Sequence, residues 1–350
     1  MAHTDRWKCF LALLATACVM QAAVAQDVDR MDQIVQSYVK DHQFMGAVLV
    51  AKGDKILFNR AYGSANIEWD ISNTPTTKFR LGSVTKQFTA AAILLLEERG
   101  KLKLDQPVST YLPDTPPAWQ KIIVSQLLTH TSGIPNVTSQ PQFANMAPLT
   151  KKPNEIIDLV RDMPLEFQPG EQYRYSNTGY IILGAIIEKQ SGQSYQNFLQ
   201  ANIFQPLGMA DTGYDSNRTV MPRRASGYAH DGDHFVNASF IDMSIPFSAG
   251  ALYSTTGDLL RWQQGLYGGK VLSAESLKKM TTPFKDDYAL GLVVKTHGGS
   301  REFFHGGSIF GFNTSLSYRP NEELSIIVLS NLEKNITQFI SGRISAVALH

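Results

Sequence analysis

Residues 297–331 read HGGSREFFHGGSIFGFNTSLSYRPNEELSIIVLSN, and how this stretch pairs decides the fold. FNTSLSYR and LSIIVLSN are apolar runs separated by a short polar turn, and a further run lies around 301–305. Connections this short cannot accommodate a crossover, so the strands must be antiparallel neighbours. YALGLVVKT, starting at Tyr288, supplies another strand on the upstream side. Near the other end, GAVLVAK and KILFNRAYG are joined at Gly53-Asp54 and read as a β-hairpin.

Around these strands the periodicity changes. Val28, Met31, Ile34, Val35, Tyr38 and Val39 mark one face of a helix over 28–42, and a last helical segment begins near Lys334. From about Ser83 to Tyr267 the patterns are mostly helical, broken by loops rich in Pro, Gly and Asn. Strands at both ends with helices between predict an α+β fold. An antiparallel sheet built from both termini, with flanking helices, would occupy 26–82 and 285–350. A mostly helical inserted domain would occupy 83–284.

The first 25 residues have the layout of a secretory signal peptide: Arg6 and Lys8, the apolar run CFLALLATACVM, and the small-x-small ending Ala23-Val24-Ala25. A lipoprotein signal on Cys18 is the alternative, with Ala15-Thr16-Ala17 a poor match before it. Cleavage after Ala25 predicts an exported protein, periplasmic or secreted. Both cysteines, Cys9 and Cys18, leave with the leader, which excludes thiol chemistry and disulfides from the mature chain. Of 32 basic and 31 acidic residues the leader carries Arg6, Lys8 and Asp5, so the mature charge is balanced. With no basic run, nucleic acid is not expected as a partner, and no later apolar stretch is long enough to span a membrane. HDGDH at 230–234 has metal-like spacing but no companion cluster, so neither metal nor organic cofactor is expected.

S-x-x-K occurs at Ser37/Lys40, Ser83/Lys86 and Ser276/Lys279. The first and last fall on helices where a solvated face is the expected setting. Ser83 differs, because FRLGSVTKQFTAAAILLLEERG puts it after a glycine at the start of a strongly apolar helix. Unpaired N–H groups and the helix dipole there favour developing negative charge, and Lys86 lies one turn on along the same face. Ser83 would equally serve as a helix N-cap. As a base, Lys86 would have to fall by about three pH units, costing ~4 kcal/mol, of which the dipole supplies only ~0.3–1 kcal/mol. Burial against the apolar helix, or a second base, must supply the remainder.

Y-x-N occurs at Tyr175/Asn177 and Tyr195/Asn197. SGQSYQNFL makes the second pair look like ordinary helix-surface positions. The first ends the loop PGEQYRYSNTGY, where a phenol and a carboxamide can be presented to a ligand, or where a tyrosine can pack under the loop while the asparagine caps the next helix.

Taken together, Ser83-Val84-Thr85-Lys86, Tyr175-Ser176-Asn177 and His305-Gly306-Gly307 resemble the three active-site motifs of the serine β-lactamase and penicillin-binding-protein superfamily. The closest branch is that of class C β-lactamases and D,D-peptidases. LLTHTSGIP, FQPLGM and AGALYSTTGDLLRW resemble stretches of that branch in the same order. The resemblance implies an antiparallel sheet beside a helical domain with the site between them. It implies Ser83 as the acylated nucleophile, Lys86 as its proton-shuttling partner, Tyr175 as a second general acid or base and Asn177 as a substrate ligand. His305, Gly306, Gly307 and Ser308 would line the site, with the N–H groups of Ser83 and Ser308 stabilising an oxyanion.

Of the two HGGS copies, the second, flanked by FF and IFGF, fits the family's site-lining strand, while Gly298-Gly299 reads as a turn. True β-lactamases usually carry lysine at the position of His305. A histidine of ordinary pKa would be only a weak, pH-dependent cation, which disfavours tight carboxylate recognition. The expected function is an exported serine hydrolase acting through an acyl-enzyme on ester, amide or D-amino-acid peptide substrates. A class C-like β-lactamase and a non-catalytic penicillin-binding-like sensor are the alternatives.

Overall fold

The computed structural model describes residues 26–349. The segment read above as a signal peptide lies outside the described residues. The main sheet has six antiparallel strands: β1 (Gly46–Lys52), β2 (Lys55–Tyr62), β3 (Val293–His297), β4 (Ser300–Ile309), β5 (Phe312–Arg319) and β6 (Leu324–Ser330). Their order across the sheet is β3-β4-β5-β6-β1-β2, so the first strand of the chain lies beside the last, with Gly46 opposite Ser330 and Lys52 opposite Leu324. The two ends of the sequence therefore build one sheet.

Alternation along β1 and β6 explains the layers on either side. Val48, Val50, Ile326 and Val328 point to one face and pack with Met31 and Val35 of α1 (26–40) and Ile340 and Ile344 of α5 (Thr337–Ala348). Ala47, Leu49, Ile327 and Leu329 point to the other face and join the larger core contributed by the middle of the chain. At its centre is α2 (Thr85–Glu98), buried from Thr85 through Leu96, as an all-round apolar helix requires. Beside it lie α3 (Asn177–Ser191) and α4 (Thr256–Tyr267), whose Trp262 ring stacks on Phe88 with centroids 4.1 Å apart. Among the described residues no helix is long and apolar enough to cross a membrane.

Several local expectations need correction. The mostly helical middle also carries short strands: Gly213–Tyr214 and Leu252–Ser254 form a small three-stranded sheet with Phe79–Arg80, and HDGDH forms the turn of a hairpin pairing Tyr228–Asp231 with His234–Asn237. Ser276 is buried rather than solvated, whereas Lys279 faces outward, to Glu97 and Glu275. Tyr195 is also buried, its hydroxyl 2.7 Å from Thr89 Oγ1 inside the core.

Candidate active site

The chain enters the site through Phe79–Arg80 and turns at Gly82–Val84 into α2. Gly82 has φ +53°, in the left-handed region, and a Cβ there would stand 2.8 Å from Ser308 N. From the opposite side, a Cβ on Gly307 would run into Leu81 O and the Thr314 hydroxyl. These two glycines let the turn bearing Ser83 lie directly against β4. Thr314 Oγ1 donates to Leu81 O at 2.8 Å and Leu81 N–H donates to Leu252 O at 2.8 Å, pinning the turn from both sides.

Lys86 is fully buried, one turn into the helix. Its Nζ lies 3.0 Å from Ser83 Oγ, 2.8 Å from Asn177 Oδ1 and 2.8 Å from Ala249 O. Burial holds its ammonium well below the usual lysine range, which is the contribution the helix dipole alone could not make. Asn177 opens α3 and is itself oriented: its N–H donates to Asn136 Oδ1 at 3.0 Å and its side-chain NH₂ to Thr138 Oγ1 at 3.1 Å.

Tyr175 is packed among aromatic rings, and this burial raises its phenol above the ordinary value, with the Ser83 hydroxyl acting in the opposite sense. Its loop is held by His130, a residue carrying no assigned role in the sequence reading although it sits within LLTHTSGIP. His130 O accepts from Arg174 N–H at 2.9 Å and His130 Nδ1 accepts from Ser176 N–H at 3.1 Å. The imidazole also lies against the Tyr175 ring, centroid to centroid 4.2 Å. One buried residue thus grips the loop on both sides of the tyrosine, by its backbone carbonyl at Arg174 and by its imidazole at Ser176.

His305 lies on the face of β4 turned toward the helices, buried beside Tyr288. Its Nδ1 is 2.6 Å from Gly306 O, which can only accept, so Nδ1 carries the proton. Nε2 is then the acceptor for the Tyr288 hydroxyl at 2.9 Å. Burial, reinforced by Lys86, pushes the imidazole down to about 3, against the effect of the Gly306 contact. The expected weak cation is therefore a neutral hydrogen-bonding group at all ordinary pH. His297 sits at the exposed hairpin turn and pairs with Glu302 at 3.0 Å.

Two cavities meet at Ser83. A polar one of about 450 Å³ is lined by Tyr175, His305, Ser308, Thr314, Asn335 and Thr337 among others, with no lysine or arginine in its wall. An apolar one of about 290 Å³ is lined by Phe143, Ile181, Ile241, Ile245, Ile309 and Phe310 among others. The single ionisable group on the apolar side, Glu333, is held by Gly311 N–H at 3.0 Å. Ser83 and Asn177 border both.

A two-ended sheet over a helical body, with a serine, a buried lysine and a tyrosine at their junction, defines a serine hydrolase of the β-lactamase and penicillin-binding-protein-like class. Comparison with known proteins narrows this: the chain belongs to the Beta-lactamase family, matching it over residues 31–348. A penicillin-binding protein of Bacillus subtilis (strain 168) is 32% identical over 328 residues, which cover 87% of this chain and 72% of the relative. The crystal structure of a penicillin binding protein from Bacillus halodurans superposes with TM-score 0.80 at 28% identity, covering 90% of this chain and 99% of that one. A D-stereospecific amidohydrolase from Streptomyces sp. superposes with TM-score 0.76 at 26% identity, covering 90% and 97%.

Proposed function

We propose that this protein is an acyl hydrolase that forms an ester on Ser83 and cleaves amides or esters whose leaving group is uncharged. A neutral amine has two N–H bonds and one lone pair. Asn177 Oδ1 and Ala249 O can only accept, so they take the two N–H bonds of Lys86 and leave its lone pair toward the Ser83 hydroxyl. Ser83 Oγ attacks the substrate carbonyl as its proton passes to Lys86. The oxyanion forms against the N–H groups of Ser83 and Ser308. Tyr175, kept as a phenol, hands a proton to the departing nitrogen or oxygen and is reprotonated through Lys86. Water then repeats the sequence in reverse to free Ser83.

Tyr175 borders the polar cavity and not the apolar one, so the leaving group belongs in the polar cavity and the acyl group in the apolar one. The observation that carries the substrate reading is the neutral His305: no cation lines the polar side, so nothing there pairs with a leaving-group carboxylate. This favours esterase or amidase action, including on D-amino-acid amides, over β-lactam hydrolysis, and Ser83, Lys86 and Tyr175 together favour turnover over mere binding. Export follows from the leader. Pre-steady-state hydrolysis of a p-nitrophenyl acyl ester tests the proposal. A burst near one equivalent, lost in Ser83→Ala and only weakly competed by benzylpenicillin, is expected. Full activity in Ser83→Ala would refute the mechanism, and tight penicillin competition would refute the leaving-group assignment.

A further inference from the structure

Beyond Phe310 and Ile241, which form a shared wall, the apolar cavity meets a second one of about 580 Å³. Its lining includes Arg80, Arg218 and Arg224. Asp215, wholly buried, holds two of them: one oxygen takes Arg80 Nε at 2.7 Å and the other takes Arg224 at 2.7 Å. Arg224 also donates to Ser216 O at 3.1 Å, and the Arg80 guanidinium lies 5.8 Å from the centroid of the Phe312 ring. Among the described residues, the terminal nitrogens of Arg80 have no protein partner and Arg218 forms no ion pair. Glu68 reaches this wall only through Asn237, whose NH₂ donates to it at 2.9 Å.

One buried carboxylate needs one cation to balance it. Here two guanidiniums share a single carboxylate that fixes their direction, a third lines the same cavity without an ion pair, and the excess charge faces that cavity. Arg80 stands three residues before Ser83, so the chain places the two within about 11 Å of each other. We infer that this cavity is a carboxylate subsite on the acyl side of the substrate. The favoured acyl group has an apolar stretch next to the scissile carbonyl and a carboxylate at its far end. Planar guanidiniums with free terminal N–H groups suit that ligand. The inference rests on the acyl-transfer reading above and adds the class of acyl group to it.

Mono-p-nitrophenyl esters of straight-chain dicarboxylic acids, from adipate to sebacate, test it against their methyl-capped counterparts. At the best chain length, kcat/KM for the free acid should exceed that for the methyl ester by about tenfold or more, and the advantage should shrink with added salt. Arg224→Gln and Arg218→Gln should each bring that ratio toward one. Arg218 pairs with no carboxylate, so its variant decides the matter if Arg224→Gln fails to fold. A ratio near or below one at every length, or one that neither variant changes, overturns the inference. If the methyl ester still gives a Ser83-dependent burst in that case, the acyl-enzyme reading stands without it. No Ser83-dependent turnover of either series overturns both.

Discussion

Gly82→Ala separates the geometry of the Ser83 turn from the chemistry of its side chains. At φ +53° an L-residue pays roughly 1–2 kcal/mol that glycine does not. The added methyl carbon would stand 2.8 Å from Ser308 N and 2.9 Å from Ser308 O, whereas ordinary contact begins near 3.4 Å. Turn and strand must therefore part by roughly 0.6 Å, enough to stretch an N–H···O bond from about 2.9 Å to about 3.5 Å, where it no longer counts as one. Losing one oxyanion donor costs about 10²–10³ in rate. Stopped-flow measurement of the acylation burst should show that loss with Ser83 and Lys86 intact, alongside a melting point lowered by a few degrees. A folded variant that acylates within about threefold of the parent would refute the idea that the Ser83–Ser308 spacing holds the oxyanion.

Lys86→Met should abolish turnover while changing how stability depends on pH. Above its usual value of 10.5 the lysine is neutral both folded and unfolded; as pH falls, the unfolded chain takes up a proton that the buried site resists, so the parent loses stability. The melting-temperature difference, variant minus parent, should thus grow from pH 10 down to pH 6, and a constant difference would contradict a neutral buried amine. For His305 the expectation is an absence of titration: with its imidazole down at about 3, His305→Gln should leave the shape of the kcat/KM profile between pH 5 and 8 unchanged, and loss of an inflection near 6.5 in that variant would refute the neutral assignment. His130→Ala removes the acceptor for Ser176 N–H and the ring packed on Tyr175 while the backbone bond to Arg174 N–H stays, so kcat should fall by about tenfold or more with KM little changed, while His130→Asn, which can restore an acceptor for Ser176 N–H, recovers part of it; equal losses in both would reduce His130 to general packing.

The sheet was legible in the sequence because its strands are either alternating or wholly apolar and are joined by short turns. Ser83 stood out for the same kind of reason, a glycine before it and an apolar helix after it. What escaped notice depends on contacts between distant segments. Thr314 fastens to Leu81, and His130 fastens the Tyr175 loop, across separations that no local pattern encodes. Tyr195 and Ser276 looked solvated because their neighbours are polar, yet each points inward from a short helix against α2 or its flank. The identity of His305 was plain, but its charge was not, since that is set by burial and by Lys86 nearby rather than by the residue itself.

Because β1 pairs with β6, the sheet has no complete core until the last strand of the chain arrives. Ser83 and Lys86 are synthesised early, but the strand that faces them, Ser300–Ile309, comes more than two hundred residues later. A nascent or interrupted chain thus carries the proposed nucleophile without the wall that would complete its site. The reactive centre is armed by topology, and only when the two ends of the polypeptide have met, a long-range closure that also makes folding comparatively slow.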